Sequence, residues 1–266
     1  MKKQLLIGLA LLASMPVAAQ AHRAWLYPSS TVLSGDTPYV TVDAAVSNEL
    51  FYFNHNPMRL DGLTIIGPDG SKVEAENKNT GKYRSTFDVP LKGDGTYRLS
   101  VESDGLTASY KINGERKRWR GKPEDFAKDI PQDAEELKAT HNQRRLETFV
   151  TRGKPTEIKP NATGLELRSK THPTDLIAGE ETTFQLVLDG KPAANVKVEV
   201  VPGGSRYRDK VGDFAVTSDA EGAVKIKWPE PGMYYVEASV EDENSAFKEA
   251  KQRRASYGAT FEVMPE

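Results

Sequence analysis

Apolar and polar residues alternate in short runs along two stretches of the chain, about 25–113 and 165–263. In the first, "YVTVDAAVS" (39–47) carries much of the period-two pattern of a half-buried strand. "DGLTIIGPDGSKVEAEN" (61–77) holds two strand-like runs around Pro68-Asp69-Gly70, a turn sequence. "STFDVP" (85–90) and "GTYRLSVES" (95–103) follow, separated by Lys92-Gly93-Asp94-Gly95. In the second stretch, "TTFQLVLDGKPAANVKVEVVPGG" (182–204) reads as strand, turn at Asp189-Gly190-Lys191-Pro192, strand. "AVTSDAEGAVKIKW" (215–228) turns at Asp219-Ala220-Glu221-Gly222, and "GMYYVEASVED" (232–242) and "YGATFEVMP" (257–265) end the pattern.

The two stretches echo one another. Ser34-Gly35-Asp36-Thr37 corresponds to Ala178-Gly179-Glu180-Glu181, each opening a β-rich run. Gly95-Thr96-Tyr97 corresponds to Gly232-Met233-Tyr234, each opening a late strand. The predicted fold is mainly β, two tandem sandwiches over 22–114 and 154–266. Residues 115–153 read as a charged, partly helical connector. Few β-branched residues occur there, Asp133 is placed to cap a helix running to about Arg145, and 146–153 is extended. The basic run Arg116-Lys117-Arg118-Trp119-Arg120 reads as a solvated loop with one packing tryptophan.

Composition narrows the function. Lys2 and Lys3, the apolar run Leu5–Ala13 and Ala19-Gln20-Ala21 form the pattern of a secretory signal over 1–21. The expected product is an exported, periplasmic protein, and no later run approaches the roughly 20 apolar residues of a membrane helix. There is no cysteine, which excludes thiolate metal sites and cysteine nucleophiles. With 36 Lys and Arg against 38 Asp and Glu, no basic excess points to nucleic acid. No Gly-x-Ser-x-Gly elbow, paired helical histidines or phosphate loop is present.

One candidate chemistry stands out. Cleavage after Ala21 makes His22 the first residue. A free N-terminal histidine offers its α-amine and its imidazole Nδ1 to one metal ion, an all-nitrogen set that suits nickel, cobalt, copper or zinc better than magnesium or calcium. A second imidazole opposite them completes a histidine brace. The other histidines are His55, His141 and His172. If the strand starting at Arg23 pairs antiparallel with 39–47, the start of the first lies beside the end of the second. That end leads into "SNELFYFNHNPMRLDG" (47–62), so His22 and His55 are the predicted metal ligands. His141 falls on the expected helix surface. His172, His141 or a carboxylate stay open as a further ligand.

Several segments carry a family resemblance: "AHRAWLYPSSTVLSGD", "VDAAVSNELFYFNHNPMRLDG", "KTHPTDLIAGE", "LDGKPAANVKVEVVPGGSRYRD" and "TSDAEGAVKIKWPEPGMYYVEA". Together they resemble a bacterial exported family carrying a domain of unknown function, labelled the periplasmic component of ABC-type cobalt/nickel transport or nickel uptake transporter family protein. The resemblance implies transition-metal handling in partnership with a membrane transporter, and an Ala-His-x-x-Trp start, here Ala21-His22-Arg23-Ala24-Trp25. The second half is also similar to transthyretin-like modules, so the sandwiches are expected to be immunoglobulin-like or transthyretin-like. Three readings follow. The first is a non-catalytic metal-binding protein. The second is a copper-dependent oxidative enzyme of the histidine-brace type, with Tyr27, Tyr52 or Phe53 axial. The third is a metal-free structural or partner-binding protein.

Overall fold

The computed structural model describes residues 22–36 and 38–266. The expected signal segment, 1–21, lies outside them. Among the described residues the chain is mainly β, in three sheets, with one short α-helix.

In the first sheet, Arg23–Pro28 pairs antiparallel with Tyr39–Ser47, which pairs in turn with Ser85–Pro90. Alternation drives this: Val40, Val42 and Ala44 point inward and are fully buried. The central sheet runs in the order Phe214–Thr217, Lys197–Pro202, Gly232–Asp242, Gln252–Met264, Glu135–Arg152, Gly95–Ile112, Leu63–Ile66. It therefore takes strands from both halves, joined where Glu135–Arg152 runs parallel to Gln252–Met264. The third sheet holds Leu165–Ser169, Glu181–Leu188 and Ala223–Lys227.

The halves repeat one strand plan. The two-residue strand Val32–Leu33 pairs parallel with the end of Glu135–Arg152, and Leu176–Ile177 pairs parallel with the end of Gln252–Met264. Gly95 and Gly232, matched in the sequence, both sit at positive φ (128° and 138°), where glycine alone is unstrained. Two residues on, Tyr97 Oη donates to Gly93 O and accepts from Gly93 N–H, and Tyr234 Oη does the same with Glu230. This tyrosine corner ties each late strand to the turn before it.

Two hydrophobic cores lie on opposite faces of the central sheet. Tyr235 and Val201 join Trp25, Val40, Phe87 and Leu99 in one. Their sequence neighbours Tyr234 and Val200 join Phe184, Trp228 and Phe261 in the other. Each large apolar side chain taken from water this way contributes about 1.5–3 kcal/mol before entropy is charged against it.

The 115–153 segment departs from expectation. Asp133–Arg145 is not helical: Glu135–Arg152 is an 18-residue strand inside the central sheet. Its helix-forming composition is overridden because both its edges are hydrogen-bonded, to Gly95–Ile112 and to Gln252–Met264. The helix is instead Pro123–Asp129, with proline at its start, Glu124 and Asp125 in the first turn and Lys128 in the last, favourable for its dipole. Phe126 anchors it against Leu106, Ala108 and Ile130. The basic run forms an edge strand, Glu115–Gly121, rather than a loop. Exposed lysine and arginine on such an edge discourage pairing with other chains. Trp119 packs edge-on against Phe126, as the packing role expected of it requires.

Candidate metal centre

Arg23 lies opposite Ser47, so His22 stands one residue beyond the last pair between those strands. On the other edge of Tyr39–Ser47, the short strand Asn56–Pro57 pairs at Val46 and Ala45. His55 therefore stands just beyond that pair, and the two histidines flank the end of one strand. Their rings stack, centroids 4.0 Å apart and planes 27° apart. His22 is exposed and His55 half-buried.

The loop between them is braced from within. Ser47 Oγ donates to Asn54 Oδ1 (2.6 Å) and lies within reach of Glu49 O (2.8 Å) and Glu49 N–H (3.2 Å). Phe51 is held at φ 61°, a left-handed conformation costly for an aromatic residue. It is kept there by edge-on packing against Trp25 (5.4 Å) and Tyr27 (4.9 Å). Phe53 packs on Trp25 at 5.2 Å, and the Arg84 guanidinium lies 4.5 Å over its ring.

Arg23 anchors the other side. Its Nε donates to Glu237 at 2.6 Å and its Nη2 to Glu199 at 3.4 Å. Both glutamates are on central-sheet strands of the second half. Burial opposes the charge on this guanidinium, but the two carboxylates together hold its pKa above the ordinary value. Tyr235 Oη adds a hydrogen bond to Ala24 O (3.0 Å). The strand that carries His22 is thus fastened across to the second half. Nothing local signals this in the sequence, since Glu199 and Glu237 are far away along the chain.

The other two histidines serve structure. His141 is 2% exposed and sits in a strand, not on a helix surface. Its Nε2 bonds Asp104 Oδ1 (2.6 Å), and its Nδ1 accepts from Ala246 N–H (3.4 Å). His172 Nε2 reaches Thr156 O (3.1 Å) and Thr96 Oγ1 (3.0 Å), while its Nδ1 accepts from Thr174 N–H (3.3 Å). Thr156 O can only accept, so the proton is on Nε2 and the ring is neutral. Burial lowers its pKa.

The two rings at the strand end fit a first-row metal by donor type. In a chelate each ring meets the ion through an in-plane nitrogen, and rings on opposite sides of it stand about 6 Å apart given metal–nitrogen bonds of roughly 2 Å. Closing the chelate thus requires the stacked rings to turn about their side-chain bonds. Among the described residues no group of three or more His, Asp or Glu side chains gathers at one point, so the side chains here supply two donors.

A cleft of about 620 Å³ opens between the halves, with Tyr27 and Phe53 among its walls. Phe51, Tyr52 and Asp43 complete its first-half wall, and Met233 and Tyr234 face them.

Fold and site together define a mainly β protein of repeated sheet units with a paired-histidine strand end. The chain belongs to the family described as domain of unknown function (DUF4198), whose model matches residues 19–242. No curated protein matches it. Among solved structures it is similar to the D0-D1 domain of intimin, at 13% identity over 90% of this chain and 97% of that one, TM-score 0.22. It is also similar to the FN1-FN3 domains of chicken CNTN1, at 9% identity over 90% and 97%, TM-score 0.24. A third similarity is to Escherichia coli alpha-2-macroglobulin activated by porcine elastase, at 12% identity over 92% and 20%, TM-score 0.25. No helix among the described residues is long and apolar enough to cross a membrane.

Proposed function

We propose that this is a periplasmic protein that binds nickel, cobalt or copper at an N-terminal histidine brace and passes the ion to a membrane transporter. The observation that carries the reading is the meeting of His22 and His55, 33 positions apart in sequence, with ring centroids 4.0 Å apart. Two imidazoles at an open strand end, joined by the amine that cleavage after Ala21 would free, make a three-nitrogen set. Such a set binds divalent copper more tightly than nickel or cobalt at equal availability, so delivery and supply would choose the ion. The likeness of the sequence to proteins labelled for nickel and cobalt transport supports the transport role.

The test is metal titration of exported protein whose first residue is shown by mass to be His22. Binding of one ion per chain is expected. A variant with one extra residue ahead of His22 loses the amine chelate and should lose most of the affinity. Unchanged affinity in that variant overturns the brace.

A further inference from the structure

A basic face lies on the part of the central sheet that extends past the two large cores. Alternation there sends side chains to two sides. Leu106 and Ala108 join the small core under the helix, and Trp119, opposite Ala108, packs there too. The intervening residues project the other way. Arg116, Arg118 and Arg120 lie opposite Lys111, Ser109 and Thr107. The next strand sets Lys138 opposite Ser109 and Thr140 opposite Thr107. Gln252 and Arg254 continue the rows of Thr140 and Asn142. Residues in register across neighbouring strands share a side, so these cations share one face. Arg118, Arg120, Lys138 and Arg254 are exposed, and Arg144, further along the same side, is half-buried.

The opposing charge is smaller. Glu136 pairs with Lys111 at 2.5 Å and with Arg116 at 3.7 Å, and Glu241 lies 4.0 Å from Arg254. Glu135 is in register with Lys111. No ion pair among the described residues takes up Arg118, Arg120 or Lys138. The whole chain has a formal net charge of −2, so positive charge is concentrated here against the balance of the molecule. Edge protection accounts for the cations of Glu115–Gly121, but Lys138 and Arg254 stand on interior strands. Like charges set opposite one another, as Lys111 and Arg116 are, destabilise a sheet. An anionic partner removes that cost.

The layout selects the partner. The cations span four neighbouring strands, about 14 Å across, and Arg116 to Arg120 covers about 13 Å along the strand. This is a two-dimensional array, not a single row. Thr107, Ser109, Thr140 and Asn142 between the cations supply hydroxyl and amide groups that can donate to phosphate oxygens. The registered rows hold no aromatic side chain on which the bases of a single-stranded nucleic acid would stack. We propose that this face docks on a membrane surface rich in anionic phospholipid. Each lysine or arginine brought near such a surface raises affinity roughly fivefold. The proposal stands apart from the metal reading.

The test is sedimentation of processed protein with vesicles of equimolar phosphatidylglycerol and phosphatidylcholine, and with vesicles of phosphatidylcholine alone. Binding is expected to the first only, and added salt should release it. Arg118→Gln, Arg120→Gln, Lys138→Gln and Arg254→Gln combined should weaken binding roughly a hundredfold or more. Lys92→Gln, Lys154→Gln, Lys191→Gln and Lys210→Gln change the net charge equally on other exposed surfaces. That variant should keep native affinity within about twofold. The proposal is overturned if the native protein does not distinguish the two vesicles, if salt does not release it, or if both variants lose binding alike. It is also overturned if the protein binds a single-stranded oligonucleotide and ignores the vesicles, which would assign the face to a linear polyanion. The salt arm uses the unmodified protein, so it decides the matter even if a variant fails to fold. Metal titration is read separately, and none of these results bears on it.

Discussion

The two halves close the same strand junction in opposite ways. In the second half, Leu165 begins opposite Leu188, and the junction is sealed. Gly164 N–H donates to Asp189 Oδ1 (2.8 Å) and Asp189 N–H to Gly164 O (3.0 Å). The chain then reverses through two left-handed residues, Asp189 (φ 51°) and Gly190 (φ 78°). In the first half, Arg23 begins opposite Ser47 at the matching place, but the chain leaves through a long aromatic loop. That loop stores strain at Phe51 and brings His55 to His22. One strand plan accommodates either closure, and the long loop also sends Leu50 into the first core. What the loop adds is the histidine pair and the aromatic wall of the cleft.

The largest expected effect breaks this contrast at its chemical end. His55→Ala should lower metal affinity by roughly a hundredfold or more, by removing a ligand and not a second-shell group. Stability should change little, because His55 is only half-buried and its ring stacks on the exposed His22. His141→Ala and His172→Ala should leave affinity within about twofold once folding is verified by titration at a temperature well below unfolding. Comparable losses from all three would mean that the metal is not held at the strand end.

Next in size is the join between the halves. A Cβ on Gly258 would meet Tyr235 Oη at 2.1 Å and Leu146 Cδ2 at 2.8 Å. The bare glycine lets Tyr235 lie over the strand and reach Ala24 O. Gly258→Ala should cost about 1–3 kcal/mol of overpacking, read from denaturant unfolding. Tyr235→Phe should cost less than the glycine change, because it removes one hydrogen bond and no packing.

The tyrosine corners test how alike the halves are. Tyr97→Phe and Tyr234→Phe each remove a hydroxyl that both donates and accepts, so each should cost about 1–2 kcal/mol. Equal costs support equivalent frames. A much smaller cost for Tyr97→Phe would show that the first half had traded rigidity for its open loop. Arg23→Gln comes below these. Its ion pairs are partly solvent-exposed, so their loss should cost about 1 kcal/mol or less. It should still weaken metal binding several-fold, because it loosens the strand that carries His22. Glu237→Gln should act in the same direction through the other partner.

Much of this was legible along the chain. Period-two runs ended by Gly, Asp and Pro give most strands, and the Gly-x-Tyr echo marks the two corners. The histidine pair follows from hairpin logic alone, because an antiparallel partner returns the chain to its starting end. Glu135–Arg152 was hidden: its first half, with Glu135, Glu136, Leu137, Lys138, Gln143, Arg144 and Arg145, is rich in helix formers and poor in β-branched residues. The parallel partner that makes them a strand, Gln252–Thr260, lies more than 100 residues away. The Arg23 clamp was hidden for the same reason, and so was the burial of His141. The sequence also suggested two sandwiches strung on a connector. The parallel pairing instead merges strands of both halves into one sheet.

The smallest effect concerns His172, which joins Thr96 of the first half to Thr156 and Thr174. Burial holds its pKa below the ordinary histidine value of 6.5, against the opposing pull of Thr156 O and Asp175. The unfolded chain then takes up this proton more readily than the folded one. Its contribution is therefore fully present above about pH 6.5 and is lost as pH falls below that value toward the lowered folded pKa. The ring is only about half-buried, so solvent screening keeps the expected loss under about 1 kcal/mol. Urea unfolding at pH 7.5 and 5.5 should show the native protein losing more stability on acidification than His172→Gln. An equal loss in the variant would place the pH dependence elsewhere. It would also make the contact between the halves at Thr96 indifferent to the charge of this ring.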